Sequence, residues 1–217
     1  RRMKRVLVLG ATGRSGSAVI SHLSGRVEIV AGLRTDVDRS RLPGDAGITG
    51  TALVDLASIA TLKRAMRGMD AVVNAIRLRE DIPATALVDL HHLILGAAPG
   101  AHPPLVVTVG GAGSLHLPGQ RRFWQSPTFP TRTLPRGRAH AELRDHLEAG
   151  YAGRHWAYLI PPPAFVPEGR ATGGYRVWRP SEDESEFTHR SIGYADFALA
   201  LADAVEQNWT GTCLVGT

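Results

Sequence analysis

The sequence predicts an α/β fold in which a doubly wound parallel sheet lies between two layers of helices, and three observations point there. Short apolar runs recur along the chain and read as buried parallel strands. The segments between them carry apolar residues three or four apart, as amphipathic helices do. A glycine-rich turn follows the first run directly, and right-handed crossovers of such units build a three-layer sandwich of the Rossmann type.

Taken in order, the strands are expected at residues 6–10, 27–33, 51–54, 71–75, 105–109, 156–160 and 213–215, each bounded by Gly, Asp, Pro or Thr. Helices are expected at 15–23, 59–66, 85–95, 139–148 and 194–206, the last shown by Phe197, Leu201 and Val205. Two stretches break the alternation. Residues 110–137 are rich in Gly, Pro and Arg and carry Phe123, Trp124 and Phe129 without periodicity; residues 161–190 hold Tyr175, Trp178 and an acidic run at 182–186. Loops of this length in compact domains are usually functional or disordered. Both would leave the carboxyl ends of strands, where ligands bind in a doubly wound fold, so they are assigned to a cleft and its lid. The three aromatics of the first stretch either stack on a flat ligand or cap the core.

Composition narrows the class. The chain of 217 residues fits one domain, 1–217, and 43 % hydrophobic with 21 % charged residues is ordinary for a packed globular protein. The net charge of +5 comes almost wholly from scattered arginines, with lysine only at Lys4 and Lys63, which argues against a nucleic-acid surface. No apolar stretch approaches the ~20 residues of a membrane span, and the basic start Arg1-Arg2-Met3-Lys4 leads into a strand pattern rather than a signal peptide. A cytoplasmic protein without a membrane partner is expected. Cys213, flanked by Leu214 and Val215, reads as an inert buried strand residue.

The chemistry starts at Gly10-Ala11-Thr12-Gly13-Arg14-Ser15-Gly16, between the first strand and the first helix. Gly10 allows a tight turn, Gly13 lets backbone approach a pyrophosphate, and Gly16 permits close helix packing. The helix amino terminus meanwhile offers unpaired N–H groups to the anion. A dinucleotide is the implied cofactor. The second strand ends at Gly32-Leu33-Arg34, where a carboxylate would hold the ribose 2′-hydroxyl of NAD. A cation stands there instead, and a 2′-phosphate would pair with Arg34 and with Arg14. Two charge-assisted bonds of ~1.5 kcal/mol each would favour NADP(H) by about a hundredfold, with Asp36 and Asp38 close enough to oppose them.

Read with Asp55-Leu56, Asp70-Ala71-Val72-Val73-Asn74-Ala75, Val107-Thr108-Val109-Gly110-Gly111-Ala112-Gly113-Ser114-Leu115 and Ser191-Ile192-Gly193-Tyr194-Ala195-Asp196, the glycine turn resembles the atypical short-chain dehydrogenase/reductase superfamily. Within it the likeness is to the NAD(P)H-binding group that includes biliverdin reductase B-like flavin reductases and NmrA-like proteins. The resemblance implies that Asp55 and Leu56 flank the adenine and that Asn74, Ala75 and Gly110 line the cofactor. It also implies that the stretch beginning at Pro161 lies near the nicotinamide. Asp55 serves equally well as a helix N-cap, and Asp196 reads as structural.

The Tyr-x-x-x-Lys pair that serves proton transfer in much of that superfamily is absent, since none of Tyr151, Tyr158, Tyr175 and Tyr194 has lysine four residues later. By the same likeness Leu134 stands for the tyrosine and Arg138 for the lysine, while the usual serine place reads Gly111. Ser114 is the nearest hydroxyl for a substrate, and His116 is a titratable donor near it. No metal site is indicated. Three readings follow: an NADP(H)-dependent reductase of a small aromatic, quinone-like or flavin-like substrate, a redox-inert NADP(H) sensor, or a non-redox cyclase or isomerase on the same fold.

Overall fold

The computed structural model describes residues 2–44, 47–79, 81–150 and 153–217, so Arg1 and Tyr151 lie outside the described residues. The elements run β1 (Arg5–Leu9), α1 (Arg14–Leu23), β2 (Glu28–Leu33), β3 (Ile48–Leu53), α2 (Ile59–Met66), β4 (Ala71–Asn74), α3 (Ala86–Ala97) and β5 (Leu105–Val109). There follow β6 (His116–Leu117), β7 (Arg121–Arg122), α4 (Leu134–Glu148), β8 (Trp156–Ile160), β9 (Ala164–Val166), β10 (Arg176–Trp178), β11 (Ser191–Gly193), α5 (Tyr194–Gln207) and β12 (Gly211–Gly216).

The central sheet has the order β10-β12-β8-β5-β4-β1-β2-β3, parallel except for the antiparallel edge strand β10. Alternation within each strand sorts side chains to opposite layers. Val6 and Val8 pack with Val19, Ile20 and Leu201 of α1 and α5, whereas Leu7 and Leu9 pack with Leu62, Met66 and Ile94 of α2 and α3. Tyr158 and Ile160 meet Leu143 and Leu147 of α4 on that second side. The inner strands β1, β4, β5 and β8 are buried on both faces, which is why they read as continuous apolar runs.

From β1 the sheet grows one way through β2 and β3, and from β4 the other way through β5, β8 and β12. The reversal lies between β1 and β4, so the crevice for a ligand opens beyond Leu9 and Asn74. The fold class predicted from the sequence is the one observed.

Several boundaries differ. Helix α4 begins at Leu134 rather than at residue 139, because Pro135 falls in the first turn, where its missing N–H costs nothing. Within the helix, glycine at position 137 makes room for the Phe129 ring, which a Cβ there would meet at 2.6 Å. The expected single lid at 161–190 divides in two. Residues near Pro161 border the crevice, whereas β10 pairs with β12 at the sheet edge and Phe187 is buried beneath Trp178. Residues 191–193 pair with β9 before α5 starts. The Asp196 carboxylate accepts the Thr172 and Gly173 N–H groups at 3.0 Å and the Thr172 hydroxyl at 2.8 Å, the structural role expected of it. Among the described residues no helix is long and apolar enough to cross a membrane.

Candidate cofactor and substrate cleft

The turn after β1 is built around missing side chains. Gly10 has φ +75°, and a Cβ there would lie 2.4 Å from the Ala75 carbonyl oxygen at the end of β4. A Cβ on Gly16 would lie 2.0 Å from the Gly10 carbonyl oxygen, so α1 can approach the turn only with glycine there. Gly13 is the extended N-cap of α1 and is exposed, leaving the first-turn N–H groups open to an anion. These features fit a dinucleotide pyrophosphate.

On one side of the turn lies a cleft of about 420 Å³ bounded by Gly10, Thr12, Gly13, Arg34, Arg41 and Leu56. Its basic residues outnumber its acidic ones, because Arg34, Arg41 and Arg77 line it against Asp38 alone. Asp38 is partly committed, accepting the Thr35 N–H at 3.3 Å and pairing with Arg41 at 3.4 Å. Asp36 pairs with Arg39 at 3.0 Å. Arg14 is exposed at the first helical position, beside the turn, and lines neither cleft. Asp55 likewise lines neither, since its Oδ1 accepts the Ala57 N–H at 2.9 Å and makes a local turn. Asn74 is buried with its Oδ1 3.4 Å from the Ile76 N–H, so it shapes the rim through Ala75 and Ile76 rather than facing the cavity.

The second cleft, about 460 Å³, shares Ala75, Ile76 and Arg77 with the first. Ser15, Gly110 and Pro161 line it, as do Phe123 and Phe129, with Phe165 and Tyr194 stacked at 3.9 Å on the far wall. Trp124, expected with the other two aromatics, stays outside and meets the Arg138 guanidinium at 5.9 Å.

With this geometry the family can be settled: a sequence profile described as NAD(P)H-binding matches residues 10–208. The chain belongs to the NAD(P)H-binding family. The uncharacterised YwnB protein of Bacillus subtilis is 26 % identical over 205 residues, covering 93 % of this chain and 92 % of its own. A Streptococcus pneumoniae structure described as a proposed NADH-flavin reductase is 26 % identical with a TM-score of 0.76, covering 99 % of both chains. A proposed epimerase from Bacteroides thetaiotaomicron superposes with a TM-score of 0.78 at 23 % identity over 99 % of this chain and 97 % of that one, which speaks to the fold alone. The resemblance to atypical short-chain dehydrogenase/reductases therefore holds.

For an NAD(P)H-binding protein the expected catalytic residues need correction. Ser114 is fully buried and donates to the Gly111 carbonyl at 2.7 Å, so its hydroxyl closes a short turn and lines no cleft. His116 is also away from it, with Nδ1 2.9 Å from the Ser181 carbonyl oxygen and its backbone N–H on Glu184. Arg138 is exposed on the outer face of α4. The residues of α4 that do face the cleft are Arg136, Gly137 and His140, with the N-cap Thr133 beside them. Arg136 and His140 are four apart and share that face, two positions along from the Leu134 and Arg138 pair assigned by likeness. Sequence reasoning missed them because helix phase was set by analogy. The signal that would have found them is the pair of small residues Gly137 and Ala141, four apart on the buried side of the helix and one position along from Arg136 and His140.

His140 Nδ1 lies 2.7 Å from the hydroxyl of the fully buried Tyr158, which also accepts the Gly111 N–H at 3.2 Å. Burial, aided by the Arg136 charge, pushes the imidazole pKa down to about 3. Elsewhere, ligand atoms of His116, Asp145 and Glu148 come within 4.8 Å of one another, but Arg122 holds Asp145 and Arg144 holds Glu148, so cations already occupy that ground.

Proposed function

We propose that this protein is an NADP(H)-dependent oxidoreductase that reduces a small planar substrate of the aromatic, quinone or flavin type. The observation that carries the reading is the continuity of the two clefts through Ala75, Ile76 and Arg77. A cofactor with its pyrophosphate on the Gly10 to Gly16 turn would extend one way to Arg34 and Arg41 and the other way to Gly110 and Pro161. When bound, it would supply the hydride. The protein would orient the substrate between apolar walls and exclude water, work that requires no Tyr-x-x-x-Lys pair. The similarity to the Streptococcus pneumoniae protein supports a reductase, and a concave cleft of this size with largely apolar walls supports a small molecule as partner rather than nucleic acid or a membrane.

Arg34 and Arg41 support NADP(H) over NAD(H), because either guanidinium can take a 2′-phosphate at the end of β2. The absence of Tyr-x-x-x-Lys favours a second reading, a redox-inert sensor. A fluorescence titration with NADPH and NADH, followed by flavin and quinone acceptors in the same cuvette, separates them. NADPH-selective binding with acceptor-dependent oxidation is expected. Tight binding with no oxidation by any acceptor would assign the protein to the sensor class, and substrate conversion without cofactor oxidation to a cyclase or isomerase.

A further inference from the structure

We infer that His140 is a neutral hydrogen-bond donor that binds the carbonyl oxygen of a conjugated substrate through its Nε2–H, and that Tyr158 is the positioning residue that fixes this tautomer. The inference rests on the larger cleft being the substrate side of the cofactor site. It names the substrate class as a planar compound with a ring-conjugated carbonyl, such as a quinone or a flavin.

The tautomer follows from counting donors and acceptors. Tyr158 is fully buried, so its O–H needs an acceptor. Its oxygen already receives the Gly111 N–H. The Ser114 hydroxyl also lies against the phenol while donating to the Gly111 carbonyl, but the acceptors set for a good bond are His140 Nδ1 at 2.7 Å and the His140 carbonyl at 3.4 Å, and the shorter contact is the stronger bond. With Tyr158 donating to Nδ1, the one proton of the neutral ring sits on Nε2. Burial raises the Tyr158 pKa, which keeps the phenol protonated in this role.

Placement gives that proton its use. Among the described residues no hydrogen-bond partner meets Nε2, and the ring lines the cleft. Its Cδ2 and Nε2 lie over Gly111, where a Cβ would come within 2.4 and 3.0 Å of them. Gly111 is the place where the superfamily likeness sets a serine, so an imidazole edge fills the space a serine side chain would need. Arg136, one turn earlier on the same face, adds a positive charge beside it. The electron pair and one hydrogen come from reduced nicotinamide, which ends oxidised, and the substrate oxygen takes its proton from solvent water. As negative charge grows on that oxygen, the Nε2–H bond strengthens, and His140 keeps its own proton because imidazole is far too weak an acid to lose it.

The test has two arms on the full-length protein. Imidazole ¹⁵N NMR should show His140 with Nε2 protonated and Nδ1 bare between pH 5 and 8, and its Nε2 signal should move when 1,4-naphthoquinone is added. In the second arm, His140→Leu should lower kcat/KM for NADPH-dependent reduction of 1,4-naphthoquinone about a hundredfold with NADPH affinity unchanged, and His140→Gln, which keeps an N–H donor, should recover much of it. Tyr158→Phe should mix the two tautomers in the spectrum. An Nδ1–H tautomer in the wild-type protein, or wild-type turnover by His140→Leu, overturns the inference. A wild-type protein that binds no NADPH and leaves the expected tautomer in place overturns the reading of the cleft instead, and with it the substrate role of His140.

Discussion

The guanidinium of Arg144 and the carboxylate of Glu184 are both buried and meet through two hydrogen bonds of 2.7 and 2.9 Å, tying α4 to the chain between β10 and β11. Arg144 also donates to the Ser114 carbonyl at 3.0 Å, while Glu184 accepts the backbone N–H groups of His116 and Ser181. The wall of the cleft is therefore held to the sheet edge by a satisfied ionic cluster.

Glu184→Gln should destabilise the fold by about 3 kcal/mol, because it leaves the buried Arg144 guanidinium with only the partly exposed Glu148 carboxylate on its Nε as counter-ion. Replacing both residues with apolar ones should cost less than either single change. Urea denaturation of the two single variants and the double variant measures this; additive losses would show that the pair does not act as a unit.

The same carboxylate sets an acid limit. Burial alone would push its pKa up, but the Arg144 hydrogen bonds and charge, with two backbone N–H groups, hold it below the usual carboxylate range. The stabilisation is present above the unfolded-state pKa and lost as pH falls through the lowered folded value. Denaturation midpoints should therefore fall steeply on acidification below about pH 4.5 in the wild type and less steeply in Glu184→Gln.

His91 adds a second, higher acid window. It is fully buried in α3, and among the described residues neither ring nitrogen has a partner. Burial, helped by His92 and His146, lowers its pKa from 6.5 to about 4. The unfolded chain thus takes up a proton first, and stability falls as pH drops from 6.5 through about 4. His91→Leu should unfold at a higher temperature than wild type at pH 5. An equal drop in both proteins between pH 7 and 5 would remove His91 from the account.

Arg34→Ala should weaken NADPH binding about tenfold, the worth of one charge-assisted bond of ~1.5 kcal/mol, and leave NADH binding unchanged. Titration of both cofactors against both proteins reads this directly. Equal losses for NADPH and NADH would mean that Arg34 serves the shared part of the cofactor.

Ser114→Ala should retain full turnover, since the hydroxyl bonds the Gly111 carbonyl away from the cleft. The cost should appear in stability, at about 1 kcal/mol for the lost hydrogen bond. A large drop in kcat at unchanged stability would return Ser114 to the mechanism.

The amino-acid sequence by itself determined the layered α/β fold and the cofactor turn. Both are local signals: a doubly buried strand must be apolar throughout, and Gly10 and Gly16 are demanded by backbone contacts within one β-turn-α unit and its neighbouring strand. The cationic end of the nucleotide cleft was legible for the same reason, because Arg34 follows β2 directly. The acting face of α4 was not. Helix phase changes by ~100° per residue, so an assignment displaced by two positions turns the wrong side chains to the cleft, and Arg138 took the place of Arg136 and His140. Nor could spacing reveal that Tyr158 lies beneath His140, or that Glu184 is a buried counter-ion rather than part of an exposed acidic run. Those roles depend on desolvation and on contacts between residues 18 and 40 positions apart, which only the packed tertiary structure creates.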